Sequence, residues 1–256
     1  ETSVAVTSTI SITEVNDPPV NTYPAAIAFY ENASFSFTGL NTLSVADPEL
    51  NMASAQLSVA HGTLLVNLAG GATISAGTNG RGTMAISGTQ AQINAALASL
   101  TYSGNQHFNG SDTLTIVSTD ADSNPLTDTD SIAITVYSVN SAPAGADGAI
   151  SVPMNGSYAL KAADFGFTDS NDSPGNLFTR VLVTSLPGSS KGTLTLNGGS
   201  VTAGSYVALS DINTGLLVYT PPADENGFAY TSFTFQVEDD GGTANGGQNL
   251  TTRTFT

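Results

Sequence analysis

Val15-Asn16-Asp17-Pro18-Pro19-Val20 and Val139-Asn140-Ser141-Ala142-Pro143 place the same kind of connector 124 residues apart. Proline fixes φ, removes a backbone donor and pushes the residue before it towards extended backbone. Each stretch is therefore a stiff, extended joint and not part of a helix or a central strand. A joint that recurs at domain length makes the chain an array. Its 256 residues give room for two units that each bury a core.

The segments between the joints repeat one order of landmarks. Residues 16–139 run through Tyr30-Glu31-Asn32, the loop Asp47-Pro48-Glu49, His61-Gly62-Thr63-Leu64, the turn Asn79-Gly80 and Tyr102, then Asn109-Gly110 and Asp120. Residues 140–256 replay this as Met154-Asn155, Asp169, Lys191-Gly192-Thr193-Leu194, Tyr219, Asn226-Gly227 and Asp239. Thr89 is placed to cap a short helix carrying Ile93, Leu97 and Leu100, and Ser210-Asp211-Ile212 is its shrunken counterpart. Elsewhere apolar residues alternate at period two between Gly and Asn turns, about seven strands per repeat. The expected fold is all-β, two tandem immunoglobulin-like β-sandwich domains arranged end to end. Residues 1–15 alternate in the same way, Ile10 matching Ile134, and read as the last strand of a preceding repeat. Glu1 would then begin in mid-strand, as in a piece of something longer.

Charge narrows the partners. Asp and Glu number 21 against five Lys and Arg, for a net charge of −16. Such a surface repels nucleic acid and anionic membranes. No apolar run approaches the roughly 20 residues of a membrane span, so membrane insertion is not expected. With no cysteine there is neither a disulfide nor a thiolate metal site.

Strand direction then gathers the acids. If Asp17 enters at one end of the first sandwich, alternate strands return Asn16, Asp17, Asp47, Glu49, Asp120 and Asp122 to that end. The opposite end receives Glu31, Asn109 or Asp112, and the joint residue Asn140. The second sandwich adds Asp169, Asn171, Asp172 and Asp239. Like charges converging without basic partners are costly unless a cation joins them. Ca²⁺ takes about six to eight oxygens from carboxylates, amides and backbone carbonyls, which these loops supply. The competing explanation is that Asp and Asn occupy loops because they favour turns.

Tyr30-Glu31-Asn32, Val45-Ala46-Asp47-Pro48-Glu49, Ser118-Thr119-Asp120 and Val15-Asn16-Asp17-Pro18-Pro19 resemble the calcium motifs of cadherin repeats, in cadherin order. Gly62-Thr63-Leu64, Ile93-Asn94-Ala95-Ala96-Leu97, Leu100-Thr101-Tyr102 and Phe108-Asn109-Gly110-Ser111-Asp112 are similar to the cadherin-like repeats of very large bacterial surface and secreted adhesins. The resemblance implies a calcium-rigidified, extracellular stalk at a bacterial surface. Its partners would be neighbouring repeats of the same chain, and the chain itself would be a monomer. Two departures weaken the inter-repeat site: Ser141 replaces the linker acid and Met154 the glutamate. The stretch Gly241-Gly242-Thr243-Ala244-Asn245-Gly246-Gly247 lacks the aspartate of repeats-in-toxin nonapeptides.

Nothing in the sequence sets a nucleophile beside a base and its orienter, so an enzyme is not expected. The two histidines, His61 and His107, align with Lys191 and Asp224 and read as turn surface. The alternative to a spacer is a carbohydrate- or cell-surface-binding module using the segments 67–90 and 240–250, with a glycan or cell-surface ligand as its partner.

Overall fold

Period-two alternation produces the main sheet directly. In the computed structural model, which describes residues 7–12 and 15–251, the chain divides into two units, one up to Tyr137 and one from Ser138 on. The first contains β1 (Val20–Thr22), β2 (Ala26–Tyr30), β3 (Ser34–Ser36), β4 (Ser44–Ala46), β5 (Met52–Ser58), β6 (Gly62–Leu65), β7 (Thr73–Gly77) and β8 (Thr83–Ser87). The helix α1 (Gln90–Leu97), β9 (Thr101–Gly104), β10 (Gly110–Asp120) and β11 (Thr127–Tyr137) complete it. One sheet has the order β2-β11-β10-β5-β8-β7, the facing sheet β3-β9-β6, and β1 pairs with β4. Every pairing is antiparallel except β2 with β11.

Inward residues of both sheets make one core. Leu57, Met84, Ile86, Leu114, Ile116, Ile132 and Ile134 come from the large sheet, Leu64 and Tyr102 from the small one, and Ile93 and Leu97 from α1. The expected cap at Thr89 forms a full capping box. The Thr89 hydroxyl accepts from Gln92 N at 3.3 Å, and Gln92 Oε1 accepts from Thr89 N at 2.8 Å. The recurring glycine ahead of Thr-Leu has a packing reason. A Cβ on Gly62 would run into the Tyr102 ring, and one on Gly192 into Tyr219.

The second unit is a smaller sandwich. It has β12 (Tyr158–Ala159), β13 (Phe178–Ser185), β14 (Thr193–Leu196), β15 (Gly199–Ser200), β16 (Tyr206–Ala208), α2 (Leu209–Asn213), β17 (Leu217–Thr220) and β18 (Thr234–Asp239). The sheets are β12-β17-β14-β15 and β16-β13-β18. A single bridge, Ala144 to Thr168, stands where β1 pairs with β4, and another, Glu238 to Leu250, where β10 pairs with β11. The repeat extends to backbone strain. Asn32 and Asn155 are both left-handed at φ 65° and 60°, as are His107 and Asp224 at 58° and 62°.

Residues 7–12 lie outside any strand, and Ile10 and Ile12 are 88% and 94% exposed. A strand requires a neighbour to take its backbone hydrogen bonds, and none of the described residues pairs with this segment; residues 1–6 and 13–14 lie outside the described residues. One expectation needs correction. The segment 67–90 is not a free binding loop, because the β7–β8 hairpin adds it to the large sheet. Among the described residues no helix is long and apolar enough to cross a membrane.

Candidate metal centre

Three elements, β4, α1 and β10, position Asp47 and Asp120 in two loops that share a backbone hydrogen bond. Asp47 follows β4, and its backbone N donates to Gln90 Oε1 at 2.9 Å, so the start of α1 fixes the loop. Asn94 reinforces this by pairing both amide atoms with the backbone of Val45 at 2.8 Å. Asp47 Oδ1 accepts from Glu49 N at 3.0 Å and Asn51 N at 3.3 Å, folding the loop around the carboxylate. Asp120 ends β10 and accepts from Asp122 N and Leu126 N, both at 3.1 Å, and from Asn16 Nδ2 at 2.9 Å. Ala121 N donates to Asn51 O at 2.8 Å and ties the two loops together.

These acids lie deep. Asp47 is 3% and Asp120 1% exposed. Three buried oxygens here accept no hydrogen bond: Asn16 Oδ1, Asp47 Oδ2 and Asn51 Oδ1. A buried acceptor without a donor is costly, and a nearby positive charge would offset that cost at each of the three. The other expected members stand further out. Asp17 is exposed and reaches Glu49 Oε2 through its backbone N at 3.4 Å. Asp122 turns to its own loop, accepting from Ser123 and Asn124.

The second unit rebuilds the arrangement from its own residues. Asn140 Nδ2 donates to Asp239 Oδ1 at 3.0 Å and to the carbonyls of Gly242 and Gln248. Asn176 donates to Asp169 Oδ2 through its backbone and to Asn140 Oδ1 through its side chain. Asp172 accepts from Ser141 N. Asp169 Oδ1 and Asp239 Oδ2 are again buried acceptors without a donor. Gly241 packs so closely under Asn140 and Asn176 that a Cβ there would strike both. Asn171 is exposed and joins none of these bonds.

The equivalent aspartates titrate in opposite directions. Burial pushes Asp120 up, but the hydrogen bonds from Asn16, Asp122 N and Leu126 N outweigh it and hold the carboxyl below its ordinary value. Burial also pushes Asp239 up, and there Asp169 and Asp240 add like charge, so it stays above the ordinary value despite bonds from Gly241 N and Asn140.

One expected assignment changes, and two others are placed by their neighbours. Asp112 is not an open ligand: it accepts from Ala60 N, His61 N, Thr113 N and the Tyr102 hydroxyl, so its lone pairs are taken. Asn140 belongs to the unit that starts at Ser138, where it serves the Asp239 cluster. Glu31 is buried at the end of β2, its backbone N donating to Tyr137 O at 2.8 Å. Sequence reasoning missed Asn51, Asn176 and Asp240. Only Asn51 left a signal, as the third term of the every-second-residue series Asp47, Glu49, Asn51.

The donor set is hard oxygen throughout, which fits Ca²⁺ and not a soft metal. Neither described ion pair, Arg180 with Glu238 or Lys191 with Glu225, competes for these carboxylates. Among the described residues, no three or more carboxylate, imidazole or thiolate groups are drawn together as a metal cage. The amides of Asn16 and Asn140 turn nitrogen towards Asp120 and Asp239. Rotating each amide would present oxygen there instead.

Comparison with known proteins yields a family model described as Protein GAMETE EXPRESSED 2 domain, matching residues 43–129. No curated protein matches the chain. Human CDH23 EC21-23 aligns over 94% of this chain and 65% of its own, at 17% identity and TM-score 0.40. Mouse Cadherin-23 EC22-24 covers the same shares at 12% identity and TM-score 0.34. Protocadherin Gamma B2 extracellular cadherin domains 3-6 aligns over 94% of this chain and 51% of its own, at 17% identity and TM-score 0.36. The chain thus spans less than two thirds of each of these structures.

Proposed function

We propose that the chain is a calcium-stabilised spacer from the extracellular part of an adhesion protein. The observation that carries this reading is that each unit holds buried, donorless oxygens in its acidic loops, Asp47 and its counterpart Asp169 among them. They are Asn16 Oδ1, Asp47 Oδ2 and Asn51 Oδ1 in the first, and Asp169 Oδ1 and Asp239 Oδ2 in the second. Asn16, Asp47, Asn51 and Asp120 would hold one ion, and Asn140, Asp169 and Asp239 the other. A bound cation satisfies these acceptors and cancels the repulsion between converging acids. Each sandwich end then becomes rigid, as a spacer requires. The narrower reading, a spacer in a very large bacterial surface or secreted adhesin, rests on the motifs around Gly62, Asn94, Tyr102 and Asn109. The glycan-binding alternative gains no support from segment 67–90, which the β7–β8 hairpin occupies.

Calcium titration calorimetry tests the assignment. Modules of this kind bind with Kd of about 10⁻⁴–10⁻³ M. Asp47→Asn should remove the binding event of the first unit and spare the second, while Asp169→Asn should do the reverse. Unchanged heats in both variants would refute these sites.

A further inference from the structure

A second pair of acids faces inward in the first unit, outside the Asp47 site. Asp128 and Asp130 alternate along β11 opposite Ser118 and Ile116 of β10, and Ile116 belongs to the core. β1 sets Asn21 against both acids. Its backbone N donates to Asp128 Oδ2 at 2.8 Å and its Nδ2 to Asp130 Oδ2 at 3.1 Å. The Tyr23 hydroxyl also donates to Asp130. Two polar atoms here are buried and without a hydrogen bond: Asn21 Oδ1, in a residue 7% exposed, and Ser118 Oγ, in one that is 0% exposed. Directly opposed residues of an antiparallel pair have Cβ atoms about 5 Å apart, so the idle Ser118 hydroxyl stands across a narrow gap from Asp128. The one Lys or Arg between Glu1 and Tyr137 is Arg81, in the β7–β8 turn, where it pairs through its backbone with Leu64. The second unit fills the same place differently. Asp120 N bonds Leu126 O as Asp239 N bonds Asn249 O, so Ser118 corresponds to Val237 and Asp128 to Thr251. Val237 lies in the core, and Thr251 Oγ1 accepts from Val237 N.

We propose that Asn21, Ser118, Asp128 and Asp130 hold a further calcium ion in the first unit, beyond the one given to Asn16, Asp47, Asn51 and Asp120. Two carboxylates balance a divalent charge, and an amide and a hydroxyl oxygen add neutral ligands. Asp128 and Asp130 are half-buried, so water reaches their open side and completes the six to eight oxygens that Ca²⁺ takes. Rotating the Asn21 amide exchanges its two ends and sets Oδ1 against Asp130 Oδ2, a contact that two acceptors make around a cation. The ion gives both orphaned atoms a partner and fastens β1, which leaves the Pro18-Pro19 joint, to β11. The inference rests on the calcium reading above and extends it. Asn16 and Asn21 lie on one joint, and Ser118 and Asp120 on one strand end, so the two ions of the first unit fill together and loss of Asp47 empties both.

Equilibrium dialysis of the full chain against radioactive calcium counts the ions. The unmodified chain should hold three, two in the first unit and one in the second. Asp128→Asn and Ser118→Val should each hold two. Ser118→Val installs the side chain that the second unit carries at this position, so it keeps the fold, and in EDTA it should melt no lower than the unmodified chain. Asp47→Asn reports on the calcium reading itself and should hold only the ion of the second unit. A count of two in the unmodified chain, or of three in either Asp128→Asn or Ser118→Val, would overturn the proposal whatever Asp47→Asn shows.

Discussion

Asp120 and Asp239 occupy the same place in the two repeats, yet their surroundings bias them oppositely. Asp120 has its carboxyl below the ordinary value in the folded state. Its contribution to stability is present above the unfolded pKa and is lost as pH falls through the folded one. Asp112 behaves in the same way, its burial offset by bonds from His61 N, Thr113 N, Tyr102 and Ala60 N. Asp239 is raised, so the folded state holds its proton longer than the unfolded chain does. Without calcium its stabilising share therefore falls as pH rises from the ordinary carboxylate value through the folded one. Asp239→Asn keeps the shape and removes the charge. In EDTA at neutral pH it should raise the melting temperature, and in saturating calcium it should lower it. Thermal unfolding under both conditions gives the sign, and a variant that melts lower in both would contradict the repulsion inferred around Asp169 and Asp240. Tyr102→Phe removes one of four donors to the buried Asp112 carboxylate and should cost about 1–2 kcal/mol in denaturant unfolding. A loss near zero would mean that the three backbone donors suffice.

Among the elements, α1 has the longest reach relative to its length. Its capping box fixes the start, Gln90 holds Asp47, and Asn94 pairs with Val45. Thr89→Ala should cost about 1 kcal/mol of stability and also weaken calcium binding, since Asp47 loses its fixed neighbour. Titration heats that match the unmodified protein would separate the helix from the site. This element was legible beforehand, because Thr89 and the spacing of Ile93 and Leu97 are local signals. Asn32 and Asn155, and the joints at Val15 and Val139, were legible for the same reason. What depended on neighbours was not. Residues 7–12 alternate as a strand does but pair with none of the described residues. Asp112 reads as a free acid until Tyr102 and three backbone donors close around it. Asn140 reads as a ligand at a junction, and only Asn176 and Gly241, distant in sequence, show that it serves the second unit's own cluster.

At the scale of the whole chain, two sandwiches of unequal strength share one strongly acidic sequence. Twenty-two buried apolar residues make the core of the first unit and twelve that of the second, among the described residues. The second unit should therefore melt first, and calorimetric scans in EDTA should resolve two transitions. The net charge of −16 adds a general repulsion that salt screens, so the contribution of specific ion binding must be read at constant ionic strength. At ten times Kd, binding to the folded state alone stabilises by about 1.4 kcal/mol per site. The central claim, that bound calcium completes the two buried oxygen clusters, is tested most directly by scanning calorimetry of the full chain in millimolar calcium and in EDTA at matched ionic strength. Both transitions should move up in calcium, and each shift should vanish in the variant lacking that unit's aspartate, Asp47→Asn or Asp169→Asn. Superimposable scans in calcium and EDTA would contradict the account.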